Sequence, residues 1–175
     1  AQKSAAVNPD TYSINVQALE RVQPEPLTAS EISVRLGSTW IPPEIIQQFV
    51  FEFLGTPRYA QWKMQLHYSP YTSEWSIENK SYDNTNIKAY RTYGTDRINA
   101  YRIIEETLNL KDVRIFDYVE DEFGKRKPVL NKKETTIALQ KQELIKEGFR
   151  EWIWKDPQRR ERLCKIYNEK FNSTR

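Results

Sequence analysis

Few residues in this chain have the types and spacing that chemistry needs. There is one histidine, His67, one cysteine, Cys164, and only five glycines. A nucleophilic triad on His67 needs a serine and an acid that no motif supplies. His67 sits in the alternating stretch WKMQLHY and reads as a structural or exposed imidazole. A zinc site needs more Cys and His ligands than one of each. Cys164 lies on a helical stretch, where a thiol behaves as a small hydrophobe. Neither G-x-x-x-x-G-K-[ST] nor G-x-G-x-x-G occurs, and so few glycines build no phosphate cradle. Asp117, Glu120, Asp121 and Glu122 cluster at a hairpin tip. Neighbouring turn carboxylates read as solvated acids, and a metal site is the alternative. The expectation is a domain without catalytic residues, metal or cofactor of its own.

One constellation has a chemistry it can perform. Lys125, Arg126 and Lys127 precede Lys132 and Lys133, and Arg159, Arg160, Arg162 and Lys165 follow. From residue 125 onward there are 15 basic and 7 acidic residues; the rest of the chain has 12 and 17. A net charge of +3 thus conceals a basic C-terminal third beside a mildly acidic remainder. Clusters of this kind neutralise phosphates and release counterions. Candidate phosphate contacts are Lys125, Arg126, Lys127, Lys132, Lys133, Arg159, Arg160 and Arg162. Lys132 and Lys133 stand in the first turn of a helix, where the dipole disfavours cations unless an anion is met. Tyr90, Arg91 and Tyr93 offer stacking to a single strand, or serve as core and rim residues. Charge alone equally accommodates a solvated helix surface.

These residues need elements to hold them. The central one is LNKKETTIALQKQELIKEGFREWIW, residues 130 to 154. Asn131 and Glu134 have capping-box spacing. Ile137, Ala138, Leu144, Ile145, Phe149, Trp152 and Ile153 recur as a helical stripe. Upstream, Pro42 and Pro43 open the most apolar helix, with Ile45, Ile46, Phe49, Val50, Phe53 and Leu54, and Gly55 closes it. That helix reads as core, or as a partner-binding groove. Thr28 or Ser30 caps a short helix over 31–36 that Gly37 ends. Strands over 62–68 and 74–78 form a hairpin, and 86–92 suggests a third strand. Thr95 or Asp96 caps a helix with Ile98, Tyr101, Ile104 and Leu108 inside, and Asn109 stops it in αL. A second hairpin joins 113–119 to 125–130, with Pro128 marking a sheet edge. Asp156 and Pro157 stop the long helix and start the last one, which carries Leu163, Cys164, Tyr167 and Phe171 on one side.

The sum is an α+β fold: two β-hairpins, in one antiparallel sheet or apart, packed with about five helices, the long ones C-terminal. Residues 1–27, with Pro9, Pro24 and Pro26 and a short helix over 14–21, read as a linker or arm, and 28–175 as one domain. No apolar run approaches the roughly 20 residues that span a membrane. The single cysteine fits a reducing, cytoplasmic setting. The polar start AQKSAAVNPD, without Met or a signal pattern, suggests an excised or processed chain.

Three stretches carry a resemblance: ALERVQPEPLTASEISVRLGSTWIPPEIIQQFVFEFL, YGTDRINAYRIIEETLNLKDVRIFDYVED, and the run from KPVLNKKETT to the end. Together they resemble the segment upstream of the helicase motor in very large DNA methylase/helicase proteins of bacterial conjugative elements and phages. The likeness covers most of the chain and is weakest over residues 1–12 and 57–85. It implies a parent with an N6-adenine methylase before this segment and a SWI/SNF-like helicase after it. Such a parent uses S-adenosylmethionine and ATP with Mg. The methylase's Asn-Pro-Pro-Tyr-type motif and the helicase's nucleotide-binding motifs are absent here, so no catalytic residue carries over. The resemblance implies a non-catalytic accessory domain that contacts DNA and positions it for the motor, in company with the adjoining methylase and helicase domains. The alternative is a structural module docking those domains together without touching DNA.

Overall fold

A computed structural model describes residues 25–172. The helix expected over 14–21, and the linker apart from residues 25–27, lie outside the described residues. The fold is α+β, with two separate two-stranded antiparallel sheets rather than one. The chain forms two compact units: Ser33–Arg160, and Ala1–Ile32 together with Glu161–Arg175. No helix among the described residues is long and apolar enough to cross a membrane.

The larger unit is built on two helices. Helix α1, Pro43–Leu54, begins with Pro43 at its first position and ends at Gly55, whose φ of +60° is cheap only for glycine. It buries Ile45, Ile46, Phe49, Val50 and Leu54, so its apolar face is core and not an open groove. Helix α2 is a single turn, Arg58–Gln61. Helix α3 spans Ala100–Leu108 and α4 spans Lys132–Ile153. On α4, Asn131 accepts a hydrogen bond from the Glu134 N–H at 3.0 Å. The return half of the capping box is replaced, because the Asn131 N–H donates to the Ile115 carbonyl at 2.8 Å.

The buried stripe of α4 is Thr135, Ala138, Gln142, Ile145, Phe149 and Ile153. Leu144, expected inside, is half exposed. The face is rotated because two polar side chains have backbone to satisfy. Thr135 Oγ1 accepts from the Ile115 N–H at 3.0 Å, and Gln142 Oε1 from the Val113 N–H at 3.3 Å. Burying amides is tolerable only with such partners. Where α1 meets α4, Phe149 stands edge-on to Phe49 at 5.1 Å, and Phe53 stacks on Phe49 at 5.0 Å. Gly148 makes room: a Cβ there would strike the Phe53 ring. Burying an aromatic such as Phe149 contributes roughly 1.5–3 kcal/mol.

The first hairpin forms as expected but its first strand is shorter: β1, Leu66–Ser69, pairs with β2, Glu74–Ile77, while residues 62–65, expected to be strand, lie in a turn and an irregular segment. Residues 86–92 are not a third strand. Asn86 Oδ1 accepts from the N–H groups of Lys88 (3.0 Å) and Ala89 (3.3 Å), and Lys88–Thr92 winds as a π-helical turn. A capping side chain outweighs a weak alternation there. Nearby, the buried Tyr101 hydroxyl donates to Asp83 at 2.7 Å and lies 2.6 Å from Thr56 Oγ1, and burial pushes its pKa up. Helix α3 is capped by Asn99, not Thr95 or Asp96: Asn99 Oδ1 accepts from the Arg102 N–H at 3.0 Å. The left-handed residue after it is Leu110, φ +59°, not Asn109.

The second hairpin pairs β3, Phe116–Glu120, with β4, Arg126–Leu130. Val113 and Ile115 precede it, buried in the extended segment that Thr135 and Gln142 hold. Helix α5, Pro157–Tyr167, starts where Asp156 accepts from the Gln158 N–H at 2.9 Å.

In the smaller unit the expected helix over 31–36 is only a 3₁₀ turn, Ala29–Glu31. The backbone is already extended at Ile32. In the larger unit Gly37, φ +100°, could not carry a Cβ, which would fall 2.7 Å from the Leu108 carbonyl oxygen; within the smaller unit two asparagines tie its two segments together. The Asn168 side chain accepts from the Leu27 N–H at 2.7 Å and donates to its carbonyl at 3.0 Å. Asn172 donates to the Glu25 carbonyl at 2.8 Å.

Candidate nucleic-acid interface

Sequence places Lys125, Arg126 and Lys127 on a hairpin, and the structure shows what kind. Among the described residues, the hydrogen bonds that tie the β3–β4 ribbon to the body are at its base. Arg97 donates to Asp117 Oδ1 at 2.8 Å and to the Phe116 carbonyl at 2.9 Å, and Asn131 donates to Asp117 Oδ2 at 2.9 Å. The Arg97 hydrogen bond, seconded by Asn131, holds the Asp117 carboxyl below the usual aspartate range. At the tip, Asp121 Oδ1 accepts from the N–H groups of Phe123 (2.9 Å) and Lys125 (2.8 Å), and Gly124 turns with φ +74°. Between base and tip, every residue of both strands except Asp117 is exposed.

The register sorts the ribbon into two faces, because directly paired residues share one. One face carries Phe116 opposite Leu130, Tyr118 opposite Pro128, and Glu120 opposite Arg126. The other carries Asp117 opposite Val129 and Val119 opposite Lys127. Tyr118 is 65% exposed and Phe123, at the tip, 87%. Charge is divided by strand: carboxylates Asp117 and Glu120 on β3, cations Arg126 and Lys127 on β4. The ribbon therefore has a basic edge rather than a basic face. Lys127, itself exposed, comes only within 3.9 Å of the largely covered Asp121, a loose pair. Lys132 and Lys133 are exposed in the first turn of α4, two and three residues after the ribbon ends. Five of the eight expected contacts thus lie on one continuous segment.

The other three lie on α5, and one of them is buried. Arg159 is buried. Its guanidinium lies 3.5 Å over the Trp152 ring, donates to the carbonyls of Trp152 (2.5 Å) and Ile153 (3.2 Å), and stands 3.8 Å from Asp156. Burial lowers its pKa against the pull of Asp156 and Glu52. Arg159 closes the C-terminal end of α4, where a cation complements the dipole, and is not available to a phosphate. Arg160 is exposed on α5. Arg162 is exposed in the smaller unit. The trio of Tyr90, Arg91 and Tyr93 also divides: Tyr93 packs at a tilt against Phe53 at 4.3 Å, the Tyr90 hydroxyl accepts from Asn99 at 3.3 Å, and of the three Arg91 alone is exposed. Tyr90 and Tyr93 are rim residues. His67 lies 3.2 Å from Glu78 on the surface. The acidic tip gathers no group of three metal-binding side chains among the described residues.

Sequence reasoning missed Arg97, which anchors the ribbon from 19 positions away. It also missed the ribbon's exposed apolar residues. Their signal was present: both strands carry apolar side chains at alternating and at consecutive positions, which one packed face does not require.

The chain matches a family model described as Domain of unknown function (DUF8437) over residues 35–173. It belongs to the DUF8437 family. The matched span includes the whole ribbon, its Arg97 anchor and α4. No curated protein and no solved structure matches the DUF8437 chain.

Proposed function

We propose that this DUF8437 chain is a non-catalytic accessory domain that contacts the DNA backbone and positions duplex for neighbouring domains. The observation that supports it most is the ribbon: two exposed strands with no other element extensively packed along them among the described residues, and Lys125, Arg126 and Lys127 on the tip and one edge. A two-stranded ribbon fits the major groove. Lysine and arginine contacts to phosphate set register without reading sequence. Lys132 and Lys133 extend the track to the start of α4, where a phosphate would relieve their mismatch with the helix dipole. The neighbours implied by the resemblance are an N6-adenine methylase using S-adenosylmethionine and a helicase using ATP with Mg, in a bacterial cytoplasm. Duplex binding measured at two salt concentrations tests the reading. Binding at low salt that weakens steeply at higher salt is expected; no binding at low salt, or binding indifferent to salt, rejects it.

A second reading has its own observation. Phe116, Tyr118, Pro128 and Leu130 make one exposed face apolar. Such a face suits docking against a neighbouring protein domain without DNA contact. Tyr118→Ser would then abolish association with that domain while leaving duplex binding unchanged.

A further inference from the structure

A trough on the larger unit gathers cations that sequence order scatters. A cavity of about 340 Å³ is lined by Arg35, Lys111, Lys146 and Arg150, with one carboxylate, Asp112. A second cavity of about 590 Å³ shares Leu110, Lys111 and Asp112 with it, adds Arg102 and Arg114 along with Glu106, and reaches Phe116 at the ribbon base. Lys146 and Arg150 have partners, Glu143 at 3.3 Å and Glu147 at 2.6 Å, one turn away on α4. These are exposed pairs, worth little and readily exchanged for a better anion. Arg35 and Lys111 make no ion pair among the described residues.

The loop that presents Lys111 is held in place beforehand. Buried Gln142 donates to the Lys111 carbonyl at 2.9 Å and to Thr107 Oγ1 at 2.9 Å, and accepts from the Val113 N–H at 3.3 Å. Leu110 sits in a left-handed conformation, φ +59°, that leucine adopts at a cost. A rigid loop, convergent cations and a concave floor are what an oxyanion site requires, because the donors need no reordering when the anion arrives.

We propose that this trough is a phosphate-binding site, taking the phosphoryl group of a nucleic-acid backbone or of a free phosphorylated compound. Arg35 and Lys111 are its principal ligands, with Arg150 and Lys146 released from their glutamates to join them. The site does not depend on the ribbon's reading, since no ribbon cation lines the 340 Å³ cavity.

The test is an amide NMR titration of the full chain at low salt, with pyrophosphate in one arm and a short oligothymidylate in the other. Saturable shifts at Lys111 and Asp112 are expected, with affinity falling roughly tenfold or more in the Arg35→Ala, Lys111→Ala double variant. Both residues are exposed, so the double variant should fold; its unchanged dispersion elsewhere verifies this. Asp112→Asn removes the one opposing carboxylate of the smaller cavity and should tighten binding. Shifts with pyrophosphate identify a site for free phosphoryl groups; shifts with the oligonucleotide alone identify a backbone site. Absence of shifts in both arms, or shifts that the double variant leaves intact, overturns the proposal. Replacing Lys125, Arg126 and Lys127 by alanine separates the two claims: it should weaken duplex binding while the pyrophosphate shifts persist.

Discussion

The described residues contain two antiparallel hairpins of similar length with opposite fates. In the first, Leu66, Trp75 and Ile77 are buried, and helix side chains close both edges. Gln47 of α1 accepts from the Leu66 N–H at 3.0 Å. Glu105 of α3 accepts from the Ile77 N–H at 2.8 Å. Asn109, just past α3, accepts from the Trp75 N–H at 2.7 Å and donates to its carbonyl at 2.9 Å, imitating a further strand. In the second hairpin no helix among the described residues packs extensively along either strand. An isolated two-stranded sheet is marginal in water, and an open edge invites pairing. Pro128 blunts one edge, having no N–H to offer. The difference teaches where each hairpin's information goes: the first is part of the core, while the second is held out from it by Arg97 and Asn131. Structure kept at the surface without packing benefit is where a contact with another molecule is to be sought.

The largest test of this contrast replaces one buried and one exposed aromatic. Trp75→Ala should cost about 3–5 kcal/mol in urea or thermal unfolding, as deletion of a core aromatic does. Tyr118→Ala on the ribbon should cost less than about 0.5 kcal/mol, as surface changes do. Comparable losses would mean that the ribbon is part of the cooperative core. Next comes the edge cover. Asn109→Ala leaves the Trp75 N–H and carbonyl without their partner and should cost about 1–3 kcal/mol. Glu105 also binds Lys80 at 2.9 Å, so its removal disturbs two contacts and is the less clean probe. Amide exchange at Trp75 should accelerate in Asn109→Ala, and no acceleration would remove Asn109 from its assigned place.

Smaller in stability, but sharper for function, is the ribbon itself. Alanine at Lys125, Arg126 and Lys127 should move stability by less than about 0.5 kcal/mol. The same change should flatten the dependence of log affinity on log salt by about 2–3, since each lost phosphate contact subtracts about 0.9 for duplex DNA. An unchanged salt slope would separate these cations from any DNA contact and leave the apolar face as the ribbon's reason for exposure.

What was legible in the chain follows the same division. Local signals sufficed for α1, bracketed by Pro43 and Gly55, for the Asn131 cap of α4, and for both hairpins. They failed where a side chain's partner is distant in sequence. Asn109 looks like a helix stop, but its amide serves a strand 34 positions earlier, and the left-handed turn falls to Leu110. Gln142 looks like a surface residue of α4, yet it is buried because the 111–113 backbone needs it. Arg159 reads as one more cation in QRRER, but the geometry closing α4 over Trp152 makes it structural. The basic segment 125–133 was visible because its cations are neighbours in sequence; Arg35, Lys111 and Arg150 were not, because only folding assembles them.

The smallest expected effect tests the ribbon's anchor. The Asp117 carboxyl is held below its ordinary range chiefly by Arg97. A depressed folded pKa means that the contribution is complete above the ordinary aspartate value and disappears as pH falls through the folded one. The ribbon base should therefore loosen only below about pH 4. Side-chain NMR of Asp117 across that window measures the midpoint directly. In Arg97→Ala the midpoint should rise toward the ordinary value, and the amides of Phe116 and Asn131 should begin to shift at higher pH than in the parent. Because the Asp117 side chain is still about 46% exposed, the energy involved is small, and global stability should scarcely register the change. An Asp117 midpoint indifferent to Arg97 would mean that the base of the ribbon is held by Asn131 alone, and that the second hairpin is freer of the body than its geometry indicates.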